Sequence, residues 1–150
     1  MALVYFDSSA LVKLVVEEQG TDLASALWDG CDAALSARIA YPEVCAALAA
    51  AHRNHDLDDH AFAAAMRGWE ELWAAVRPVE LTVEVERRAG ELAVRRALRG
   101  ADAIHLASAL AIGANHLVVA VWDRRLRDGA VAERLPVAPA PQPDGDLSTG

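Results

Sequence analysis

The chain has 150 residues, of which 54% are hydrophobic and 24% charged, and its formal net charge is −8. Length and composition indicate one globular domain with a sizeable core and exclude disorder as its main state. No run of about 18 apolar residues occurs and no basic segment precedes Asp7, so neither a membrane span nor a signal peptide is predicted, and we expect a cytoplasmic protein. Cys31 and Cys45 are too few for a disulfide framework and lack the spacing of zinc ligands, which predicts reduced thiols.

Hydrophobic periodicity predicts that strands and helices alternate along the chain. In chain order it predicts a strand at 3–6, helices containing 10–15 and 21–28, a strand at 33–36, helices at 42–54 and containing 62–76, a strand at 78–81, helices at 82–98 and 102–113, and strands at 116–121 and 135–138. Because parallel strands need helical crossovers, this alternation favours a doubly wound α/β domain with a parallel sheet, in three α/β/α layers.

Capping residues and glycines mark the predicted helix ends. Thr21 or Asp22 caps the second helix, and Thr82 caps the helix that follows the third strand. Pro42 opens the third helix, because proline is favoured at the first helical position. Gly100 breaks the chain before the next helix begins.

Five large apolar residues follow one face of the predicted fourth helix. They recur at helical spacing and are Phe62, Met66, Trp69, Trp73 and Val76. This stripe predicts either core packing or a subunit interface.

The end of the chain differs in composition from the rest. Four of the six prolines follow residue 135, together with Gly, Asp and Ser. Such a segment lacks the apolar residues that a packed core needs. We therefore expect a domain at 1–138 and a disordered tail at 139–150.

Four acidic residues are predicted at one edge of the sheet. Asp7 and Asp123 directly follow strands, while Glu43 and Asp102 lie in the first turns of helices that start at the same edge. Ligands of open α/β sheets bind outside the carboxyl ends of the strands, so these acids are candidate ligand residues. A single aspartate after a strand can also be a plain helix cap.

Converging acids would repel each other at neutral pH. Two unit charges about 4 Å apart cost about 4 kcal/mol at an effective dielectric constant of about 20. Protonation or a bound metal would relieve this repulsion, and without a nearby lysine cluster a divalent cation is favoured. Oxygen ligands favour Mg²⁺ or Mn²⁺, which indicates phosphoryl chemistry. Ser8 and Ser9 could hydrogen-bond an adjacent carboxylate or a metal-bound water, or could simply cap the helix.

The negative net charge disfavours a nucleic-acid partner, because the phosphate backbone attracts clustered Lys and Arg. The distribution of charge weakens that objection, since arginines precede Asp102 and follow Asp123. They are Arg95, Arg96 and Arg99 before the first acid and Arg124, Arg125 and Arg127 after the second. Arg124 and Arg125 are candidate phosphate contacts, and a solvated helix face is the alternative for both.

The acids occur within longer stretches that share a recognisable pattern. These are Val4-Tyr5-Phe6-Asp7-Ser8-Ser9-Ala10-Leu11-Val12-Lys13-Leu14, Pro42-Glu43-Val44 with Ala46-Ala47-Leu48, Arg99-Gly100-Ala101-Asp102-Ala103-Ile104-His105-Leu106-Ala107-Ser108-Ala109, and Asp123-Arg124-Arg125-Leu126. In order and spacing the chain resembles the PIN-domain family over residues 3 to about 138, and in particular the VapC-type toxins of bacterial toxin-antitoxin pairs.

This resemblance implies a PIN-like fold with a parallel sheet of about five strands and a Mg²⁺- or Mn²⁺-dependent endoribonuclease that acts as a toxin. Asp7, Glu43, Asp102 and Asp123 would be its metal ligands and catalytic residues, and a metal-activated water would attack the RNA phosphodiester. The resemblance also implies a cognate VapB-like antitoxin that occludes the crevice, and a homodimer.

One position departs from the family pattern. Val121 stands where many members carry Thr or Ser two residues before the last acid. The missing hydroxyl implies either a weaker second metal position or a larger role for Ser9, so strict two-metal catalysis stays open. The departure keeps open an alternative in which the chain is a catalytically weak or inactive module that binds RNA or protein.

Two residues beside the acids have competing interpretations. His105 shares a helix face with Asp102, but hard Mg²⁺ does not seek imidazole, so we expect His105 to hydrogen-bond a backbone group. Trp122, next to Asp123, could stack an RNA base or pack against a neighbouring helix.

Two other enzyme classes fit less well. Haloacid-dehalogenase-like phosphotransferases also begin with an aspartate after the first strand, but they need a second one where Ser9 stands and a downstream lysine, whereas Lys13 is the only lysine. A dinucleotide-binding domain is excluded because no Gly-x-Gly-x-x-Gly follows a predicted strand.

Overall fold

The computed structural model describes residues 2–113 and 115–141, and within them the chain forms five strands and seven helices. The strands are β1 (Leu3–Phe6), β2 (Ala33–Ala37), β3 (Arg77–Val79), β4 (Leu117–Ala120) and β5 (Val137–Ala138). The helices are α1 (Ser8–Val15), α2 (Thr21–Gly30), α3 (Ala40–Arg53), α4 (Asp59–Ala75), α5 (Val83–Arg95), α6 (Gly100–Ile112) and α7 (Arg124–Ala132). None of these helices is both long and apolar enough to cross a membrane.

The strands form one parallel sheet in the order β3-β2-β1-β4-β5. The chain builds outward from β1 in both directions, first through β2 and β3 and then through β4 and β5. A crevice for ligands is expected where the strand order reverses, outside the carboxyl ends of β1 and β4. Phe6 is paired with Ala120, so these two strands end side by side. The predicted parallel sheet of about five strands is confirmed.

Helices cover both faces of the sheet. Successive residues of each strand point to opposite sides, so neighbours on one strand pack against different helical layers. Tyr5 of β1 belongs to a cluster with buried residues of α5, α6 and α7, including Leu92, Leu106 and Leu126. Phe6 belongs to a second cluster on the other face with buried residues of α1, α3 and α4, including Leu11, Leu48 and Trp69. The predicted three-layer α/β/α architecture is therefore confirmed.

The helix α2 begins at Thr21 as predicted, but its cap differs from the prediction. Its N-cap is Gly20, at a left-handed φ of 95° that favours glycine, and no side chain caps it. The hydroxyl of Thr21 instead donates to the Lys13 carbonyl at 2.9 Å and accepts from the Glu18 N–H at 3.0 Å. Thr21 therefore closes the turn between α1 and α2, and the prediction that Thr21 or Asp22 caps α2 is wrong.

Two further helices begin earlier than predicted. Ala40 begins α3, so Pro42 is its third residue, and Gly100 begins α6 instead of breaking the chain before it. Proline fits anywhere in a first turn, because the N–H groups of that turn have no partner within the helix. Glu43 and Asp102 still lie in first turns.

Other boundaries also shift. The helix α5 ends at Arg95, and Ala97 just beyond it takes a left-handed φ of 51° that turns the chain. Sequence patterning did not predict α7, although the buried Leu126 and Ala130 lie one helical turn apart after Asp123. The strand β5 is paired with β4, and residues 142–150 of the predicted tail lie outside the described residues.

The apolar stripe of α4 packs into the core. Trp69 and Val76 are buried, and Phe62, Met66 and Trp73 are partly buried against the same cluster. The Trp69 ring lies 5.9 Å from that of Tyr41 and 5.4 Å from that of Trp73, measured between centroids. Its indole Nε1 is buried and has no hydrogen-bond partner among the described residues.

We predict that Trp69→Ala lowers the free energy of unfolding by about 3–5 kcal/mol, because it leaves a large cavity beneath α4. Trp69→Phe is expected to cost markedly less, since it keeps most of the ring and removes a buried, unpaired N–H. Urea denaturation followed by circular dichroism measures both. A loss below about 1 kcal/mol for the alanine variant would show that Trp69 does not anchor this layer.

Candidate active site

Asp7 directly follows β1 and is almost fully buried, with 3% of its surface exposed. One carboxylate oxygen, Oδ1, accepts a hydrogen bond from the Ala10 N–H at 2.9 Å and so caps α1. The Ser9 hydroxyl lies 2.7 and 2.9 Å from the two Asp7 oxygens. Asp7 itself is therefore the helix cap, and of the two interpretations of the serines the hydrogen bond from Ser9 to the carboxylate is the one observed.

The electrostatic surroundings of Asp7 include other members of the predicted site. Burial raises the pKa of Asp7, and the negative charge of Asp123 raises it further. His105, the Ser9 hydroxyl and the Ala10 N–H oppose that rise in pKa. Asp7 therefore lies within electrostatic range of both Asp123 and His105.

Glu43 is held by a histidine from the opposite helical layer. His105 Nε2 lies 2.6 Å from Glu43 Oε1, and His105 Nδ1 lies 2.8 Å from the Tyr5 hydroxyl oxygen. The expectation that His105 bonds a backbone group is wrong, because both ring nitrogens contact side chains. In the sequence, the one indication that His105 belongs to the site is its position three residues after Asp102.

The partners of His105 indicate how its ring hydrogen-bonds. A carboxylate only accepts hydrogen bonds, so Nε2 is the donor to Glu43, and in the neutral ring Nδ1 then accepts from the Tyr5 hydroxyl. Burial, followed by the nearby charge of Asp7, raises the pKa of Tyr5 well above 10.0, so this phenol remains a donor. The result is a hydrogen-bonded chain from Tyr5 through His105 to Glu43.

Asp102 and Asp123 share one arginine. Arg99 Nε donates to Asp102 Oδ2 at 3.1 Å, and Arg99 Nη2 lies 3.7 Å from Asp123 Oδ2. The other oxygen of Asp123 accepts from the Leu126 N–H at 2.9 Å and caps α7. Sequence reasoning counted Arg99 among neighbouring basic residues but gave it no role, although its spacing from Asp102 suits a pair on one helix turn.

Hydrogen bonds, ion pairs and charge effects relate the four predicted acids at one edge of the sheet. Glu43 is hydrogen-bonded to His105, and Arg99 contacts both Asp102 and Asp123. Asp7 is related to them through charge, because Asp123 raises its pKa and His105 lowers it. Within residues 2–113 and 115–141, however, no three His, Cys, Asp or Glu side chains already converge as a metal-ligand set. Each acid is instead engaged by a serine, a histidine, an arginine or a backbone N–H.

The predicted RNA contacts lie beside this edge and differ in exposure. Trp122 is partly buried against the α1, α3 and α4 cluster, and Lys13 Nζ lies 5.2 Å from its ring centroid. Arg124 and Arg125 are exposed. A surface groove of about 480 Å³ is lined by Arg96, Ala97, Arg125, Asp128 and Gly129.

Comparison with known proteins identifies the family. The chain matches the PIN domain over residues 4–131. Ribonuclease VapC45 of Mycobacterium tuberculosis strain CDC 1551 / Oshkosh and ribonuclease VapC49 of strain ATCC 25618 / H37Rv are each 69% identical to it over 140 residues, 93% of this chain and 97% of theirs. Ribonuclease VapC46 of the latter strain is 34% identical over 133 residues, 87% of this chain and 92% of its own. The chain therefore belongs to the PIN-domain family. Within that family it is of VapC type, as the sequence motifs predicted.

Solved structures share the fold. PAE2754 from Pyrobaculum aerophilum has a TM-score of 0.61 at 24% identity, with 85% of this chain and 86% of that chain covered. VapC20 from Mycobacterium tuberculosis, described as a Sarcin-Ricin loop cleaving toxin, has a TM-score of 0.62 at 19% identity, with 83% and 93% covered. At these identities the likeness supports the fold alone, and it confirms the predicted α/β PIN architecture.

We predict that Asp7→Asn stabilises the protein at neutral pH in EDTA. Burial raises the pKa of Asp7 above its ordinary value of 3.8, so the folded state binds this proton more tightly than the unfolded state does. The contribution of Asp7 to stability therefore falls as the pH rises from about 3.8 through the raised pKa. Asparagine keeps the acceptor for the Ala10 N–H and carries no charge.

Thermal unfolding at pH 4.5 and 7.5 measures this effect, with the exposed Asp128→Asn as control. A gain of about 1 kcal/mol would raise the midpoint by about 2–4 °C in a chain of this size. The variant should gain more at pH 7.5 than at pH 4.5, and a loss of stability at pH 7.5 would contradict the prediction.

Proposed function

We propose that this chain is the endoribonuclease toxin of a toxin-antitoxin pair and that it hydrolyses RNA with Mg²⁺ or Mn²⁺ held by Asp7, Glu43, Asp102 and Asp123. The observation that carries the proposal is the linkage of these four acids at the carboxyl edge of β1 and β4. The ribonuclease class draws on the two relatives that are 69% identical over 93% of the chain.

The chemistry of the donor set fits a hard divalent cation. All four residues offer carboxylate oxygens, which Mg²⁺ and Mn²⁺ prefer. The raised pKa of the buried Asp7 reflects a site that disfavours its negative charge without a compensating cation. A bound cation would supply an activated water at neutral pH and would stabilise charge on the phosphate.

The protein side chains supply position and charge. Ser9 and the Ala10 N–H fix the Asp7 carboxylate, while the Tyr5–His105 pair fixes Glu43. Asp123 uses one oxygen to cap α7, which leaves the other for the site. The exposed Arg124 and Arg125 follow Asp123 directly, and we assign them to phosphate contacts that hold the RNA beside these acids. Trp122 is the candidate for base stacking.

A binding module that does not cleave RNA is the second candidate function. The fully buried Val121 favours it, because this side chain packs in the core and supplies no hydroxyl beside Asp123. Ser9, which hydrogen-bonds Asp7, is the hydroxyl that the site retains. Retention of all four acids favours the enzyme.

The partners follow from the proposed class. We propose that an RNA substrate and a VapB-like antitoxin compete for the acidic crevice, and that the protein acts in the cytoplasm as a homodimer. The α4 stripe packs internally and so gives the dimer no support. In such a dimer the partner would cover the exposed apolar residues around the start of α5, where Leu81 is 49% and Val83 65% exposed.

The purified chain, free of antitoxin, is expected to cut a structured RNA pool at discrete positions with Mg²⁺ or Mn²⁺ and to stop cutting in EDTA. Asp102→Asn should lower cleavage by more than about 100-fold, since loss of even an outer-shell partner typically costs 10–100-fold. Asp128→Asn, the same change at an exposed position, should leave cleavage intact. Gel analysis of end-labelled RNA measures both.

Two outcomes would contradict the proposal, the first by removing the nuclease and the second by removing its metal site. No cleavage together with no metal binding in calorimetry favours the binding module. Cleavage that continues in EDTA, or in Asp102→Asn, would remove the four-acid metal site from the mechanism.

Sedimentation equilibrium tests the proposed dimer. The chain has a mass of 16.0 kDa, and we expect a species of about twice that mass at micromolar concentration. A single species of 16.0 kDa at all concentrations would show that the protein is a monomer.

A further inference from the structure

Arg99 is the basic side chain in direct contact with two of the four acids. We infer that Arg99 competes with the divalent cation for Asp102 and Asp123 and, once displaced, binds an RNA phosphate. This inference rests on the proposed function and assigns a role to a residue that the proposed mechanism does not use.

The contacts of Arg99 show that its side chain serves the acids. Its guanidinium contacts Asp102 Oδ2 at 3.1 Å and Asp123 Oδ2 at 3.7 Å. It is the N-cap residue of α6, yet its side chain makes no cap hydrogen bond, and 68% of that side chain is exposed. Neighbouring Arg95 and Arg96 differ, because both pair with Glu133 instead. Removing the guanidinium should therefore leave the fold intact.

The same carboxylate oxygens cannot serve two cations equally well. A divalent cation held by Asp102 and Asp123 would compete with the guanidinium for their carboxylates and would repel its positive charge. The long, exposed side chain of Arg99 would then turn toward solvent at the rim of the site. A free guanidinium presents a planar fork of N–H donors that matches a phosphate group.

If Arg99 competes with the cation and also binds phosphate, one substitution should affect cation affinity and RNA affinity in opposite directions. Arg99→Gln should tighten cation binding and weaken RNA binding when the cation is present. A purely structural arginine would weaken both, and an arginine that only orients the two acids would weaken cation binding. Arg95→Gln is the matched control, since it makes the same change in net charge at a residue that pairs with Glu133.

The first measurement is Mn²⁺ binding by titration calorimetry at fixed ionic strength, without RNA. We expect Arg99→Gln to bind Mn²⁺ about two- to fivefold more tightly than the parent, the size typical of an exposed ion pair. Arg95→Gln should match the parent. Circular dichroism checks that all three proteins are folded.

The second measurement is fluorescence anisotropy of a labelled 20-nucleotide RNA of mixed sequence. It uses a Glu43→Gln background, which on the proposed function stops hydrolysis while keeping Asp102 and Asp123. With Mn²⁺, adding Arg99→Gln should weaken binding about three- to tenfold and reduce the slope of log affinity against log salt by about 0.7, the loss of one phosphate contact. In EDTA, where Arg99 stays on the acids, the substitution should change RNA affinity little.

Three results would overturn the inference. Weaker Mn²⁺ binding by Arg99→Gln would make Arg99 an orienting residue, and unchanged Mn²⁺ binding would make it a bystander. An equal loss of RNA affinity in EDTA and in Mn²⁺ would show that its phosphate contact does not depend on displacement. A parent that binds no Mn²⁺ would instead overturn the metal site of the proposed function, and this inference with it.

Discussion

Gathering four carboxylates at one edge of a parallel sheet costs electrostatic free energy, and much of the local structure offsets that cost. Asp7 accepts hydrogen bonds from the Ser9 hydroxyl and the Ala10 N–H, and Glu43 is hydrogen-bonded to His105. Asp102 and Asp123 both pair with Arg99. The offset is incomplete at Asp7, because burial and the charge of Asp123 still raise the pKa of its carboxyl group. A divalent cation would stabilise the negative charge that these partners leave uncompensated. The packing at the edge of the sheet and the proposed chemistry are therefore related.

The hydrogen-bonded chain from Tyr5 to Glu43 connects the sheet to both helical layers. Tyr5 lies on the central strand β1, His105 lies in α6 on one face, and Glu43 lies in the first turn of α3 on the other. A buried polar chain is stable only when all its members find partners, so these three elements must keep a fixed alignment. The fold therefore aims Glu43 through contacts made in its core.

Helix capping and ligand placement are compatible roles in this protein. Asp7 and Asp123 each use one oxygen to accept from a backbone N–H at the start of the following helix. The cap fixes the carboxylate against the backbone and leaves its second oxygen directed to the Ser9 hydroxyl in one case and to Arg99 in the other. A residue that looks like an ordinary cap in the sequence can thus be a site residue whose orientation the cap provides.

The sequence by itself determined the alternation of strands and helices and the position of the four acids at strand ends and helix starts, because these depend on local hydrophobic period and backbone hydrogen bonding. It misassigned the cap of α2, misplaced the starts of α3 and α6, and carried no signal strong enough to predict α7. Only the tertiary structure decided the partners of the acids. His105 meets Glu43 across 62 positions, and Arg99 reaches both Asp102 and Asp123. Such contacts depend on how layers pack across the sheet, and no local periodicity encodes that packing.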